Sequence, residues 1–218
     1  MRENRLFCFD WVRRNWSGVL EPALGQHVVL TLIAVGIGFA IAMTLALAAY
    51  RLSWLERPIG VGSAILYTIP SLALFQILVP FFGLTLTTAE VALVSYTLLI
   101  LFRNILTGLR EVPTEVRDTA RGMGMTRRQS LWRVELPLAL PAIMAGLRIA
   151  TVTVISLGTV AAFVSGQGLG RPIFDAIGEN VFKTELIAAG GLAIMLAIVT
   201  DVLLVGLQRL LTPWARAR

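Results

Sequence analysis

The chain has 218 residues, 56% of them hydrophobic, with a mean hydropathy of +0.78 and a formal net charge of +6. That balance excludes an ordinary soluble domain and a disordered chain and marks a polytopic membrane protein. A pI near 10.6 would otherwise suggest a nucleic-acid partner, but the basic residues sit in short segments between apolar runs, as positive-inside topology requires, so no nucleic acid is expected. The one cysteine, Cys8, rules out an intrachain disulfide framework.

Residues 1–26 mix Arg2, Arg5, Arg13 and Arg14 with Glu3, Asp10 and Glu21 and carry Trp11 and Trp16. An interfacial helix lying along the bilayer surface and a partly ordered tail both fit that composition. His27 follows at the membrane edge with no second ligand nearby, so no metal site is expected. The membrane domain then runs over 27–212. Its first apolar run, 28–49, has 22 uncharged residues, and its second, 59–82, has 24. About 20 suffice to cross the hydrocarbon core, so both are expected to span. The first run lacks a small-residue cleavage site after it and is not read as a signal peptide. Between the two, Arg51, Trp54 and Arg57 read as a cytoplasmic turn with an interfacial anchor.

Pro70 interrupts the second run near its middle and is expected to bend the helix there, with Tyr67, Thr68 and Ser71 around the bend. A pore-lining segment and a packing kink are both consistent with this. The third span, 84–102, has Glu90 near its outer end and Arg103 at its inner end, where the guanidinium can snorkel to the interface. The fourth, 138–165, is rich in hydroxyls: Thr151, Thr153, Ser156 and Thr159. Such groups bond neighbouring helices or line a wet path, and sequence does not separate the two. GQGLG at 166–170 lacks the Lys and Ser/Thr of a phosphate-binding loop and is read as an outer turn. The mixed charges that follow, Arg171, Asp175, Glu179, Lys183 and Glu185, suit a non-cytoplasmic connection. The fifth span, 186–211, leads to a short cytoplasmic tail, 213–218. At 1.5 Å per residue its one deep charge, Asp201, lies about 15 Å from the inner end, and Arg148 lies about 16 Å along the fourth span. Similar depths allow a buried Arg148–Asp201 ion pair, with a structural role first, while a fourth helix that begins in the cytoplasm would set Arg148 shallower.

Eleven of the nineteen basic residues fall in the proposed inner segments: Arg51 and Arg57, the six from Arg110 to Arg133, and Arg209, Arg216 and Arg218. Five spans with the C-terminus inside place the N-terminus and its arginines outside. A sixth crossing, made from a broken or re-entrant segment, would relieve that placement.

The most informative stretch is the charged island VRDTARGMGMTRRQSLWRVELP, 116–137. Val116, Ala120 and Met123 fall on one side of a first short helix. Gly122 and Gly124 break it. Thr126 followed by Gln129 has capping-box spacing, so a second helix is expected there, carrying Leu131 and Val134 on its apolar side. Pro137 and Pro141 are expected to end or bend it. The island resembles the cytoplasmic EAA loop of ABC importer permeases, E-A-A, three residues, Gly, nine residues, then I-x-L-P. Asp118, Thr119 and Ala120 take the first three places, Gly124 the glycine, and Val134, Leu136 and Pro137 the ending. Asp for Glu, Thr for Ala and Val for Ile are the departures.

YTIPSLALFQIL, FRNILTGLREVP, ELPLALPAIMAGLR and SGQGLGRPI extend the likeness over about 27–211, toward permeases for glycine betaine, choline and related osmoprotectants. The resemblance implies an all-α, five-span permease of the type I importer kind, in a bacterial inner membrane. It also implies a second permease subunit, identical or similar, a dimer of separate ATPase subunits and an extracytoplasmic binding protein. ATP would be bound by the ATPase, and no cofactor or catalytic group is expected here. The loop over 113–137 would dock on the ATPase, with Arg117, Asp118, Arg121, Arg127 and Arg128 as the polar rim and Ala120, Met123, Gly124 and Leu131 as the packed centre. Tyr67, Tyr96, Thr97 and Thr151, with Thr68, Pro70 and Ser71, are the candidates for a translocation path. An amino-acid or methionine importer is the nearest alternative. An ion-coupled carrier would need more intramembrane carboxylates than Asp201, and a membrane enzyme would need a catalytic constellation the chain does not carry.

Overall fold

The computed structural model describes residues 6–178 and 181–216. Arg2, Glu3, Arg5, Glu179 and Arg218 of the readings above lie outside them, as does the Arg216 side chain. Among the described residues all regular structure is helical. α1 (Phe9–Asn15) and α2 (Glu21–Arg51) join through a π turn at Trp16–Leu20 into one helix of 43 residues, Phe9–Arg51. α3 (Glu56–Thr68) and α4 (Ser71–Phe82) form the second span, bent by 99°. α5 (Leu86–Arg110) returns to the basic end, where α6 (Thr114–Gly122) and α7 (Arg127–Ser130) form the loop. A second π turn, Leu131–Glu135, continues α7 into α8 (Leu136–Ser165), so that Arg127–Ser165 is a single helix of 39 residues. α9 (Gly170–Gly178) is short and lies at the opposite end, and α10 (Lys183–Leu211) is the last span. Among the described residues four helices are long and apolar enough to cross, and the bent pair raises the number to five if it is one span.

Two expectations need correcting, and one physical device accounts for both. Residues 9–26 are not a separate interfacial segment: they extend the first spanning helix, which at 1.5 Å per residue is about 64 Å long, about twice the hydrocarbon thickness. Arg13 and Arg14 are exposed near its outer end. Likewise Pro137 and Pro141 do not end the second loop helix, which runs through both. A proline lacks the N–H for the carbonyl four residues back and clashes with it. Pro22 and Pro137 each lie two residues beyond a π turn. The residue just before each proline bonds five back instead, Glu21 N–H to the Trp16 carbonyl and Leu136 N–H to the Leu131 carbonyl, which widens the helix where the ring must fit.

Pro70 has the opposite effect. It stands at the N-cap of α4 with extended backbone (φ −54°, ψ 134°), after Ile69 at ψ 127°, and the chain turns sharply instead of passing through. No π turn relieves it, and the residue before a proline is itself driven out of helical geometry.

α5 is the central helix, with α2 on one side and α8 on another. Small residues allow this. Ala34, Gly38, Ala42, Ala46 and Ala49 of α2 form a stripe three to four residues apart, and each is buried. A Cβ on Gly108 of α5 would come within 2.7 Å of the Ala142 Cβ on α8. Without a hydrophobic drive between helices in lipid, such close approach is what holds them together. Leu101, Phe102, Ile105 and Ile143 fill the basic end of the core, and Leu74, Phe75, Leu93 and Val154 the opposite end. Ile33, Ile37 and Ile41 on α2, and Ile198, Val202 and Leu203 on α10, stay exposed on the outside of the bundle.

Candidate functional site

The loop at the basic end is shaped by local chemistry. α6 is closed by a left-handed glycine: Gly124 has φ +79°, its N–H donates to the Arg121 carbonyl (2.9 Å), and the Met125 N–H donates to the Ala120 carbonyl (3.1 Å). These two bonds make a Schellman cap. A Cβ added at Gly124 would meet nothing within 4 Å, so the requirement for glycine is conformational, not steric. The capping box then opens α7, with Gln129 N–H donating to Thr126 Oγ1 (3.3 Å) and Thr126 N–H donating to Gln129 Oε1 (2.8 Å). The loop is thus two helices joined through two fixed caps.

Individual side chains divide between the chain's own core and the surface. Ala120 is 1% exposed and Leu131 is 4% exposed, so neither is available to a partner. Leu131 belongs to the core against α2 and α5, in place of the packed centre of a docking face. Met123 is 65% exposed because α6 ends at Gly122 and the chain turns before another residue can join the buried side. Trp132, which sequence reading passed over, is also exposed. Thr119 donates back to the Glu115 carbonyl (2.7 Å) and points outward. Asp118 and Arg121 form an open pair at 3.4 Å.

A buried polar network ties the loop to the inner end of α2. Glu135 accepts from the Tyr50 hydroxyl and from Ser130 Oγ (2.8 Å). Tyr50 in turn accepts from Arg117 Nη1 (3.2 Å), so Arg117 faces inward as well as outward. Sequence reading missed Glu135, because it occupies the unspecified place in I-x-L-P, and missed Tyr50 because its partners are 67 and 85 residues away. Arg51, Arg117, Arg121, Arg127 and Arg128 surround a cleft of about 690 Å³ beside this network. A bidentate pair from Arg110 to Glu56 (2.7 and 2.6 Å) fixes the start of α3 to the end of α5.

Of the translocation candidates, the structure brings together those at the helix break. The rings of Tyr67 and Tyr96 meet edge to face at 6.0 Å, and the Tyr96 hydroxyl donates to the Ile69 carbonyl (2.5 Å), a group freed by Pro70. Tyr67 and Thr68 are exposed and Ser71 is half-buried. Thr97 and Thr151 lie elsewhere. Thr97 is 1% exposed and presses on Gly38 of α2, while Thr151 is buried with its hydroxyl on the Leu147 carbonyl (2.7 Å). Both hydroxyls are satisfied within their own helices, so they serve packing. Arg148 and Asp201 are paired in bidentate geometry, Nε to Oδ1 at 2.8 Å and Nη2 to Oδ2 at 3.0 Å, though about a third of each side chain remains open.

The opposite end is held by a residue expected to idle at the membrane edge. His27 is 0% exposed. Its Nδ1 accepts from the Leu169 N–H (3.2 Å), which leaves the proton on Nε2 to be donated to the Ile155 carbonyl (3.0 Å). Beside it Gln26 Oε1 accepts from the Gly168 N–H (3.0 Å). The 166–170 turn is therefore fastened to α2, and a cleft of about 760 Å³ opens next to it, with Trp11, Gln26, Arg171, Asp175 and Glu185 in its walls.

Comparison with known proteins gives the same architecture a family. Residues 29–217 match the binding-protein-dependent transport system inner membrane components. The chain is 37% identical over 203 residues to a glycine betaine/carnitine/choline transport system permease protein of Bacillus subtilis, covering 90% of each. It is 38% identical over 203 residues to an osmoprotectant import permease protein of Salmonella typhimurium, covering 90% of this chain and 94% of that one. In fold it is similar to the MetNI methionine ABC transporter in an inward-facing conformation, with a TM-score of 0.80 at 20% identity over 90% of this chain and 98% of that chain. Match, identity and coverage together make this chain a member of the family of binding-protein-dependent transport system inner membrane components, a multi-pass permease subunit and not an enzyme.

Proposed function

We propose that this permease forms one half of the membrane pathway of an ABC importer for quaternary ammonium osmoprotectants such as glycine betaine, choline and carnitine. A separate ATPase dimer drives it, a second permease subunit completes it, and an extracytoplasmic binding protein supplies it. The cargo follows the relatives, which are named for these solutes. The coupling role is carried by one observation: the loop is rigid at both caps and continues without a break into the 39-residue helix that crosses the membrane.

That continuity supports a lever. Met123 and Trp132 offer exposed apolar contact at the basic end, and Asp118, Arg121, Arg127 and Arg128 give a charged rim that orients the partner. A push delivered there moves α7 and α8 together. The Arg117–Tyr50–Glu135 network passes it to α2. Arg110–Glu56 passes motion of α5 to the start of α3, below the Pro70 break.

The test is uptake of radiolabelled glycine betaine into proteoliposomes holding the whole complex, with ATP inside and the binding protein outside. Uptake is expected to require ATP and to be abolished by Gly124→Asp, which strains the left-handed cap and puts a charge on the docking face. Uptake that persists without ATP would overturn the importer. ATP hydrolysis stimulated by the binding protein, without betaine, choline or carnitine uptake, would overturn the cargo alone.

A further inference from the structure

The open side of α8 carries the wrong chemistry for lipid. At about 100° per residue, Arg148, Ser156 and Thr159 lie within about 80° of one another, with Thr153 about 60° further round. The residues on the reverse side, Ala150, Val154 and Ala161, are buried, as is Gly158 beside them, and so are Thr151 and Ala162 on the flank next to Arg148. α2 covers that side, where the His27 ring sits 3.0 Å from the position of a Gly158 Cβ. The front is different. Ser156 is exposed, Ile149 and Phe163 are 54% and 53% exposed, and Thr153 and Thr159 are only half-covered. At the inner end of this stripe stands the Arg148–Asp201 pair, with 33% and 35% of its side chains open.

A charged pair open to this degree, deep in a span, is poorly placed against hydrocarbon and well placed against water. By contrast α10 exposes Ile194, Ile198, Val202 and Leu203 with no polar group among them, as a lipid-facing surface does. We propose that the polar face of α8 lines the conduit, and that the Arg148–Asp201 pair is a transient site for a zwitterionic solute. This rests on the osmoprotectant reading. The Arg148 guanidinium presents a planar fork that suits a carboxylate in two-bond geometry, the arrangement it already makes with Asp201. Asp201, released from Arg148, faces a quaternary ammonium group that has no N–H to satisfy and needs only an opposing charge. A betaine thus replaces the internal pair charge for charge, and no net charge is left unpaired at any stage. Restoration of the internal pair then releases the solute. Thr153 and Thr159 donate to the Ile149 and Ser156 carbonyls of their own helix, so along the way from the opposite end they offer only acceptor oxygens, and Ser156 is the exposed hydroxyl.

The mechanism separates two cargoes. A betaine uses both residues, whereas choline has no carboxylate and uses Asp201 alone. In proteoliposomes of the full complex, Arg148→Lys keeps the charge and the partner but loses the fork. It is expected to raise the KM for glycine betaine about tenfold, equivalent to about 1.4 kcal/mol, and that for choline no more than about twofold. Asp201→Asn is expected to raise both. An equal change for both cargoes with Arg148→Lys would show a structural pair and overturn the proposal.

A second measurement does not depend on cargo. Replacing Cys8 with Ser gives a cysteine-free background, and Ser156→Cys and Ile33→Cys are then treated with a membrane-impermeant, charged thiol reagent. Ser156→Cys is expected to react, with or without ATP, and Ile33→Cys, on the outer side of α2, to remain unlabelled. If Ser156→Cys is as inert as Ile33→Cys in every condition, the conduit does not run along α8. If Ser156→Cys reacts but the wild-type complex takes up neither betaine nor choline, the cargo reading fails, and the zwitterion site with it.

Discussion

The two ends of this bundle solve the same local problem in different ways. Each closes a helix with a left-handed glycine, Gly124 at φ +79° after α6 and Gly166 at φ +63° after α8. At the basic end the bonds that follow are short in sequence: Gly124 to Arg121, Met125 to Ala120, Gln129 with Thr126. At the opposite end the turn's N–H groups are satisfied from 142 residues away, Gly168 by Gln26 and Leu169 by His27. The difference is mechanical. On the coupling proposed above, the end that is pushed is the one whose caps are local, with the Arg117–Tyr50–Glu135 network as its tie to α2, whereas the opposite turn has its own backbone N–H groups bonded directly into α2.

Substituting glycines tests the contrast most severely at the fixed end. A Cβ at Gly170, the first residue of α9, would overlap the Thr159 carbonyl oxygen and lie 2.6 Å from the Ala162 Cβ. Backbone cannot swing aside as a side chain can. Gly170→Ala is expected to destabilise by about 3 kcal/mol or more, within the range for forced overpacking, and to lower the melting temperature of the purified permease by several degrees. Next in size is His27→Leu, which keeps the bulk but strands the Leu169 N–H in a buried site and removes the second bond to the Ile155 carbonyl, which keeps its helical partner. The orphaned N–H costs about 1–3 kcal/mol. Melting followed by intrinsic fluorescence reads both variants. A His27→Leu protein as stable as wild type would mean that the turn is held by packing and not by these bonds.

The same contrast explains what the sequence disclosed. The capping box, the break at Gly124, the bend at Pro70 and the positive-inside loop were legible because each depends on residues within a few positions of one another. The Arg148–Asp201 pair was legible for another reason: two charges at matched depths have few alternatives. His27, Glu135 and Tyr50 were not legible, since nothing local marks a residue whose partners come from other helices. Leu131 was assigned to the outside because amphipathic spacing identifies an apolar side without saying whether that side meets the chain's own core or a partner. The prolines misled for a physical reason. The π turns ending at Leu20 and Glu135 widen the helix ahead of Pro22 and Pro137, whereas no such turn precedes Pro70 and the chain breaks there; Pro141 and Pro80 stay inside α8 and α4 without one.

At the basic end smaller effects on stability are expected. Tyr50→Phe removes one donor to the buried Glu135, which keeps Ser130 as a partner, and leaves Arg117 without an acceptor there. A loss of about 1.5 kcal/mol or somewhat more follows, the lower end of the range for a bond to a charged group, because Glu135 keeps its second partner. Because this bond joins the loop to α2, uptake per ATP hydrolysed is expected to fall as well. Unchanged coupling would place transmission in the α7–α8 helix alone. Gly124→Ala meets open space and pays only for the left-handed backbone, about 1 kcal/mol, well below Gly170→Ala although both remove a glycine next to a helix end.

Asp118→Ala should be the mildest change to the fold and the clearest report on the docking face. Both members of its pair with Arg121 are 61% exposed, and an open pair three residues apart on a helix contributes no more than about 0.5 kcal/mol. Melting is therefore expected to match wild type. Among the described residues the side chain makes no other bond, and it stands at the first place of the loop pattern, so on the proposed docking its work is directed outward. Pull-down of the separate ATPase by the variant should weaken several-fold, and more so at low salt, where long-range charge contributes most. If the ATPase is retained in full while melting drops as far as for Gly124→Ala, Asp118 belongs to the folding of α6, and the docking face must be drawn around Met123, Trp132 and the arginines without it.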